Sequence, residues 1–206
     1  MGVYPYNPDL GQKLQGDPSV PPVDRLFIMH YQIAPAATGV NTVHSAITLP
    51  GSGTLEVTDG ITNPDVPRTI TITGSQSGIT GNVVIAGTDA AGNVITETLA
   101  ANGTATVEST RAFKTVTSIT VPAKNATGDT ISVGTGKKVG LPRKVYNANF
   151  KLVSLFNGST DAGTLTVDGS DLSKNLYSIA GTPNGSKVLD LVILVSRAVI
   201  SKVVIF

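Results

Sequence analysis

The chain has 206 residues, 40% of them apolar, enough for a sizeable core without covalent staples. It contains no cysteine, which excludes disulfides, thiolate metal sites and thiol nucleophiles and agrees with folding in a reducing cytoplasm. Only 14% of residues are charged, against about 25% in an average domain, and the net charge of +1 gives no general attraction to nucleic acid.

The first 24 residues carry Pro5, Pro8, Pro18, Pro21 and Pro22 among Gly, Asn and Asp. Proline fixes φ and donates no hydrogen bond, so an extended arm is predicted and a helix or central strand is not. The segment has no basic stretch followed by an apolar one and does not read as a secretory signal. Val3, Tyr4, Tyr6 and Leu10 supply apolar anchors for docking on a neighbouring subunit. The plain alternative is an undocked tail.

Residues 25–206 are predicted as one β-rich domain, with a possible subdivision near residue 143. "RLFIMHYQI" is too apolar for a loop and too short for an ordinary helix, so it reads as a strand. From Ser45 onward the segments "AITLP", "GTLEVTD", "RTITITG", "GNVVIAGT", "NVITETLA", "ATVES", "FKTVTSITVP" and "DTISVG" alternate apolar residues with Thr, Ser or Glu. That period of two, punctuated by Gly, Asn, Asp and Pro, predicts antiparallel strands buried on one face. Regular turn spacing predicts an all-β sandwich or barrel-like domain. The clearest hairpin is "GNVVIAGTDAAGNVITETL", with Asp89, Gly92 and Asn93 at its turn.

Beyond "LPRKVYNANF", a connection rather than a linker, further strands are predicted in "FKLVSLF", "GTLTVDG", "NLYSIAG", "KVLDLVILV" and "AVISKVVIF". "DLSKNLYSI" has room for a helical turn or two. Lys187, Asp190, Arg197 and Lys202 interrupt the apolar C-terminal stretch, so it reads as a buried strand pair and not as a membrane span.

Residue types that carry chemistry are scarce. His30 and His44 are the only histidines, fewer than the three protein ligands of a catalytic zinc site. "GSQSG" has Gln76 where a nucleophile elbow needs serine. "GTGKKVG" at 134–140 lacks the spacing, the hydroxyl residue and the following helix of a phosphate loop, and reads as a turn with solvated lysines. An acid pair for glycoside cleavage would draw on Glu56, Glu97, Glu108 and aspartates that mostly occupy turns. Asp168 and Asp171 in "VDGSD" lack an EF-hand register and read as turn chemistry. The residues therefore point to no catalytic centre, no metal and no cofactor. Five tyrosines (Tyr4, Tyr6, Tyr31, Tyr146, Tyr177) and no tryptophan make a weak platform for a carbohydrate-binding β-sandwich, the alternative from another class.

One charge cluster remains. Lys137, Lys138, Arg143, Lys144 and Lys151 fall in a stretch with no acid between Asp129 and Asp161. It is either a solvated sheet edge that blocks unwanted pairing or a contact patch for an acidic partner surface.

The stretch 63–122, with "PDVPR", "GITGNVVIAGTDAAGNVITET" and "AFKTVTSI", resembles a β-rich block of tailed-bacteriophage virion proteins of the capsid decoration (cement) or head-fibre class. The resemblance covers about a third of the chain. It implies a protein made in the host cytoplasm and added to the capsid surface of the virion. There it would be a homo-oligomer, commonly a trimer, on the major capsid protein, with no catalytic residues; the low charge and few aromatics, and the interrupted C-terminal stretch, separately predict no nucleic-acid and no membrane partner. A place in the tail or the head-to-tail connector is the structural alternative, and copy number per particle separates the two.

Overall fold

The computed structural model describes residues 26–196. The Pro-rich arm with Val3, Tyr4, Tyr6 and Leu10, and the last predicted strand, "AVISKVVIF", lie outside them. Fourteen strands follow in chain order: β1 Leu26–Ile33, β2 Gly39–Thr48, β3 Leu55–Val57, β4 Arg68–Gly74, β5 Asn82–Thr88, β6 Val94–Ala100 and β7 Val107–Phe113. Then come β8 Thr115–Val121, β9 Thr130–Gly140, β10 Lys151–Phe156, β11 Ser159–Thr160, β12 Thr164–Thr166, β13 Leu176–Ser178 and β14 Leu189–Ser196. Helical structure among the described residues is confined to 3-10 turns at Ala148–Phe150 and Leu172–Lys174. The protein is all-β, and every strand pair among the described residues is antiparallel.

The strands form three sheets. One runs β1-β14-β10-β11, a second β12-β13-β9-β4-β7 with β2 also on β9, and a third β3-β8-β5-β6. Two apolar clusters lie between them. The first gathers Val43 and Ile47 of β2, Ile70 and Ile72 of β4, Val83 and Ile85 of β5, Ile119 and Val121 of β8, and Ile131 and Val133 of β9. The second gathers Val139, Phe156, Leu165, Tyr177, Leu189, Leu191 and Ile193, with Leu141 and Val145 from the connection after β9. Burying one such aliphatic side chain is worth about 1.5–3 kcal/mol, so the period-two apolar residues specify which face of each strand turns inward.

The β5–β6 hairpin forms in full register from Asn82 beside Ala100 to Thr88 beside Val94. Its turn is held by Asp89, whose Oδ1 accepts from the Ala91 and Asn93 N–H groups at 2.8 and 2.9 Å. Gly92 has φ +86°, which a residue with a Cβ rarely adopts.

Two expectations need correction. "GTGKKVG" is not a turn: it is the second half of β9, with Gly134, Thr135 and Val139 paired to β4 and Lys138, Val139 and Gly140 paired to β13. Its glycines fit a strand because neighbouring groups crowd them. A Cβ at Gly134 would collide with the Gly39 carbonyl, and one at Gly136 with the Glu108 carboxylate. The threonine row of β4 is also not a wet face. Thr69 and Thr71 are buried along with Ile70 and Ile72, because β4 is flanked by β9 and β7 and the Glu108 side chain reaches over it.

Candidate interaction surface

The basic cluster is spread over β9, the connection after it and the start of β10, and most of it is tied into the fold. Lys138 Nζ pairs with Glu108 Oε2 at 2.9 Å. Lys144 Nζ donates to the Ser170 carbonyl and Lys151 Nζ to that of Gly163, both at 2.6 Å. The Lys151 ammonium also sits 5.6 Å from the Tyr177 ring centroid. Lys137 is exposed and donates to the Ala180 carbonyl at 3.3 Å. Arg143 is exposed and makes no ion pair or side-chain hydrogen bond among the described residues. Lys137 and Arg143 are thus the cluster's outward-facing charges.

Beside Lys137 and Lys138 lies an open cleft of about 540 Å³, lined by Val40, Thr71, Thr106, Glu108, Thr135 and Gly136 among others. Glu108 Oε1 accepts from Thr69 Oγ1 at 2.5 Å while Oε2 holds Lys138, so both carboxylate oxygens are occupied. The cleft surface is more apolar than polar, with threonines, Val40 and Gly136 around a neutralised ion pair.

Arg68 lies behind this cleft, is 0% exposed, and was not singled out as functional or structural by the sequence reading. Its Nε and Nη2 donate to the Gly136 carbonyl at 3.1 and 2.7 Å. Its Nη1 donates to the Ala36 carbonyl at 2.9 Å and to Asp65 Oδ1 at 3.1 Å. A buried guanidinium is tolerated when its donors are matched in this way, and here it ties β4, β9 and the segment before β2 together. The signal available in sequence was an arginine at the first position of an otherwise uncharged strand, "RTITITG", three residues after Asp65.

Several other acids are also committed to the scaffold. Glu97 of β6 holds the irregular middle of β7, accepting from the Thr110 N–H at 2.7 Å and the Arg111 N–H at 3.1 Å. Asp168 and Asp171 build the predicted turn: Asp168 accepts from Ser170 and Asp171, and Asp171 accepts from Ser173 and pairs with Arg111 at 2.7 Å. The Ser170 hydroxyl, with the Ser170 and Asp171 N–H groups, holds the Asp168 carboxyl down at about 2. Among the described residues no three His, Cys, Asp or Glu side chains gather as metal ligands. His30 Nε2 lies 3.0 Å from Asp190 Oδ1 on an exposed sheet face, and His44 Nδ1 contacts the Ser45 carbonyl in β2.

Asp161 is the most densely bonded carboxylate of the second cluster. Tyr177 Oη donates to its Oδ2 at 2.7 Å, as do the Gly163 and Ala180 N–H groups at 3.1 and 3.2 Å, while the Gly181 N–H reaches Oδ1 at 3.2 Å. Burial pushes this carboxyl upward, but the four hydrogen bonds together outweigh it and leave it below its ordinary value. Burial first, and then the hydrogen bond to Asp161 and the charge of that carboxylate, push the Tyr177 phenol up to about 12.

Comparison with known proteins finds no matching family model, no matching curated protein and no matching solved structure. The site is therefore read from its own geometry. No helix among the described residues is long and apolar enough to cross a membrane.

Proposed function

We propose that this chain is a non-enzymatic virion structural protein that binds and stabilises a tailed-phage capsid surface, as a decoration or cement protein, through oligomeric contacts with the major capsid protein and with its own copies. The observation that carries the reading is the stretch 63–122, whose resemblance to phage virion β blocks spans β4 to β8. Its strands supply much of the first apolar cluster. The use of Glu97, Glu108, Asp161, Asp168 and Asp171 as internal hydrogen-bond acceptors is in keeping with this: ionisable groups already saturated by the fold are suited to holding a shape. Lys137, Arg143 and residues 1–24 are the proposed capsid contacts.

The test is cosedimentation of the full chain with heads purified from a phage lacking it. Saturable binding at many copies per head is expected, with weaker binding after deletion of residues 1–24 or after Lys137→Glu with Arg143→Glu. Absence of binding would sink the reading, and a copy number matching a single connector ring would move the protein to the head-to-tail junction.

A further inference from the structure

The connection between β9 and β10 holds no strand, yet it is pinned to the fold at several points. Leu141 and Val145 are fully buried in the second apolar cluster. Asn175, itself 0% exposed, clamps both of them: its carbonyl accepts from the Leu141 N–H at 2.9 Å, and its Oδ1 from the Val145 N–H at 2.8 Å. The same side chain donates from Nδ2 to the Asp168 and Asp171 carbonyls at 2.7 and 2.8 Å, which locks the turn after β12 against the connection. Lys144 adds its bond to the Ser170 carbonyl. A buried amide matched on every side fixes one arrangement of the loops it joins.

That arrangement leaves Arg143 and Tyr146 outside. Tyr146 is 53% exposed, and its ring rests on Gly169 of the locked turn, where a Cβ would come within 2.9 Å of the ring. Tyrosine and arginine are the side chains that most often dominate binding at protein interfaces. A platform already held in place gives up little further freedom when a partner arrives.

The polar groups on offer are of one kind. The Arg143 guanidinium has five N–H donors and no acceptor, and it makes no ion pair or side-chain hydrogen bond among the described residues. Asn147 Oδ1 is taken by the Asn149 N–H at 2.9 Å, which leaves the amide donors of that exposed side chain uncommitted. The acids of the adjoining turn are committed as well: Asp168 Oδ1 accepts from Ser170 and Asp171, and Asp171 pairs with Arg111. A sugar hydroxyl asks for acceptors as well as donors, whereas a carboxylate asks for donors alone. The fork of a guanidinium matches the two oxygens of a carboxylate. A net charge of +1 and 5% aromatics do not suit a nucleic-acid polyanion.

We propose that Arg143 and Tyr146 form a recognition point for an acidic segment of a partner protein, with the guanidinium on a carboxylate and the ring against the apolar side chain next to it. This names what the capsid surface must offer, and it rests on the capsid reading only for which protein supplies the segment.

The experiment is a titration of the isotope-labelled full chain, followed through its backbone amide NMR signals, with acetyl-Leu-Asp-Leu-amide, with acetyl-Leu-Asn-Leu-amide and with inorganic phosphate. Saturable shifts confined to residues 143–147 and 168–170 are expected with the aspartate peptide. Binding should weaken about tenfold, the strength of one charge-assisted hydrogen bond, with the asparagine peptide and in Arg143→Gln. It should also weaken in Tyr146→Ala and in Arg143→Lys, whose ammonium cannot make the paired bonds. The three variants should keep the parent's spectrum elsewhere, because both side chains are exposed. No saturable shift, equal binding of the two peptides, or binding that survives Arg143→Gln would each overturn the proposal. So would phosphate that saturates the same amides at lower concentration, which would make this a site for inorganic anions. A chain that binds heads but not the aspartate peptide would overturn it and keep the capsid reading. A chain that binds the peptide in this way but ignores heads would leave the proposal standing and sink the capsid reading alone.

Discussion

The Tyr177 hydroxyl donates to Asp161 Oδ2 across 2.7 Å inside the second apolar cluster, where Tyr177 is fully buried and Asp161 nearly so. The bond joins β13 to the loop before β12, and the Gly163, Ala180 and Gly181 N–H groups converge on the same carboxylate. A carboxylate with this many donors behaves as a structural anion that the fold prefers charged.

Acid should therefore weaken the protein through Asp161. Its folded pKa lies below the ordinary carboxyl value, so the stabilisation is complete above the unfolded pKa of about 3.9 and is lost as pH falls through the lower folded value. Asp161→Asn should cost about 2 kcal/mol at neutral pH, and its difference from the parent should shrink below about pH 4. Urea melts at a series of pH values check this, and a difference that holds constant into acid would refute it. Tyr177→Phe removes one donor and should cost about 1 kcal/mol.

Arg68→Met should be among the most damaging single changes. It leaves the Gly136 and Ala36 carbonyls without their donor and the partly exposed Asp65 without its partner, and an unsatisfied buried acceptor costs about 1–3 kcal/mol. Denaturant unfolding of the variant reads it. A loss below about 1 kcal/mol would mean the apolar replacement packs as well as the guanidinium does.

Gly136→Ala tests the packing beneath the cleft. A Cβ at this point would strike Glu108 Oε1 and Thr69 Oγ1, so Glu108 must swing away from Lys138. Overpacking of this kind costs about 1–3 kcal/mol. The companion Glu108→Ala should make Gly136→Ala milder, a non-additivity that a double-mutant cycle on melting data would show.

Asp89→Ala should loosen the β5–β6 turn. The Ala91 and Asn93 N–H groups and the Asn93 side-chain amide all bond to Asp89, which is buried. A loss of about 1–3 kcal/mol is expected, together with faster amide exchange across residues 88–94 than elsewhere in β5 and β6.

Most of the scaffold was legible because the side-chain alternation of a strand is local. "RTITITG" reads as β4 to the residue, and the Asp89 turn was visible from turn chemistry alone. Less local features were harder to read. The run "GTGKKVG" looks like a turn because glycine and lysine are poor strand formers, yet β9 continues through it. What overrides the local preference is contact from afar: Gly39, Thr69 and Glu108 press on Gly134 and Gly136, and β4 and β13 between them pair with both ends of the run. The same holds for Arg68 and for the lysines. Composition shows a basic cluster, but only the folded chain shows that Lys138, Lys144 and Lys151 are held by Glu108, Ser170 and Gly163 while Lys137 and Arg143 are exposed.

The strand β9 gives Ile131 and Val133 to one apolar cluster and Val139 to the other, with β2 and β13 sharing one of its edges and β4 occupying the opposite one. Neither cluster can melt without dragging on the backbone that seals its neighbour. A force applied at either end of the molecule is thus carried along a single continuous beam, and heating should dissolve both halves in one calorimetric peak.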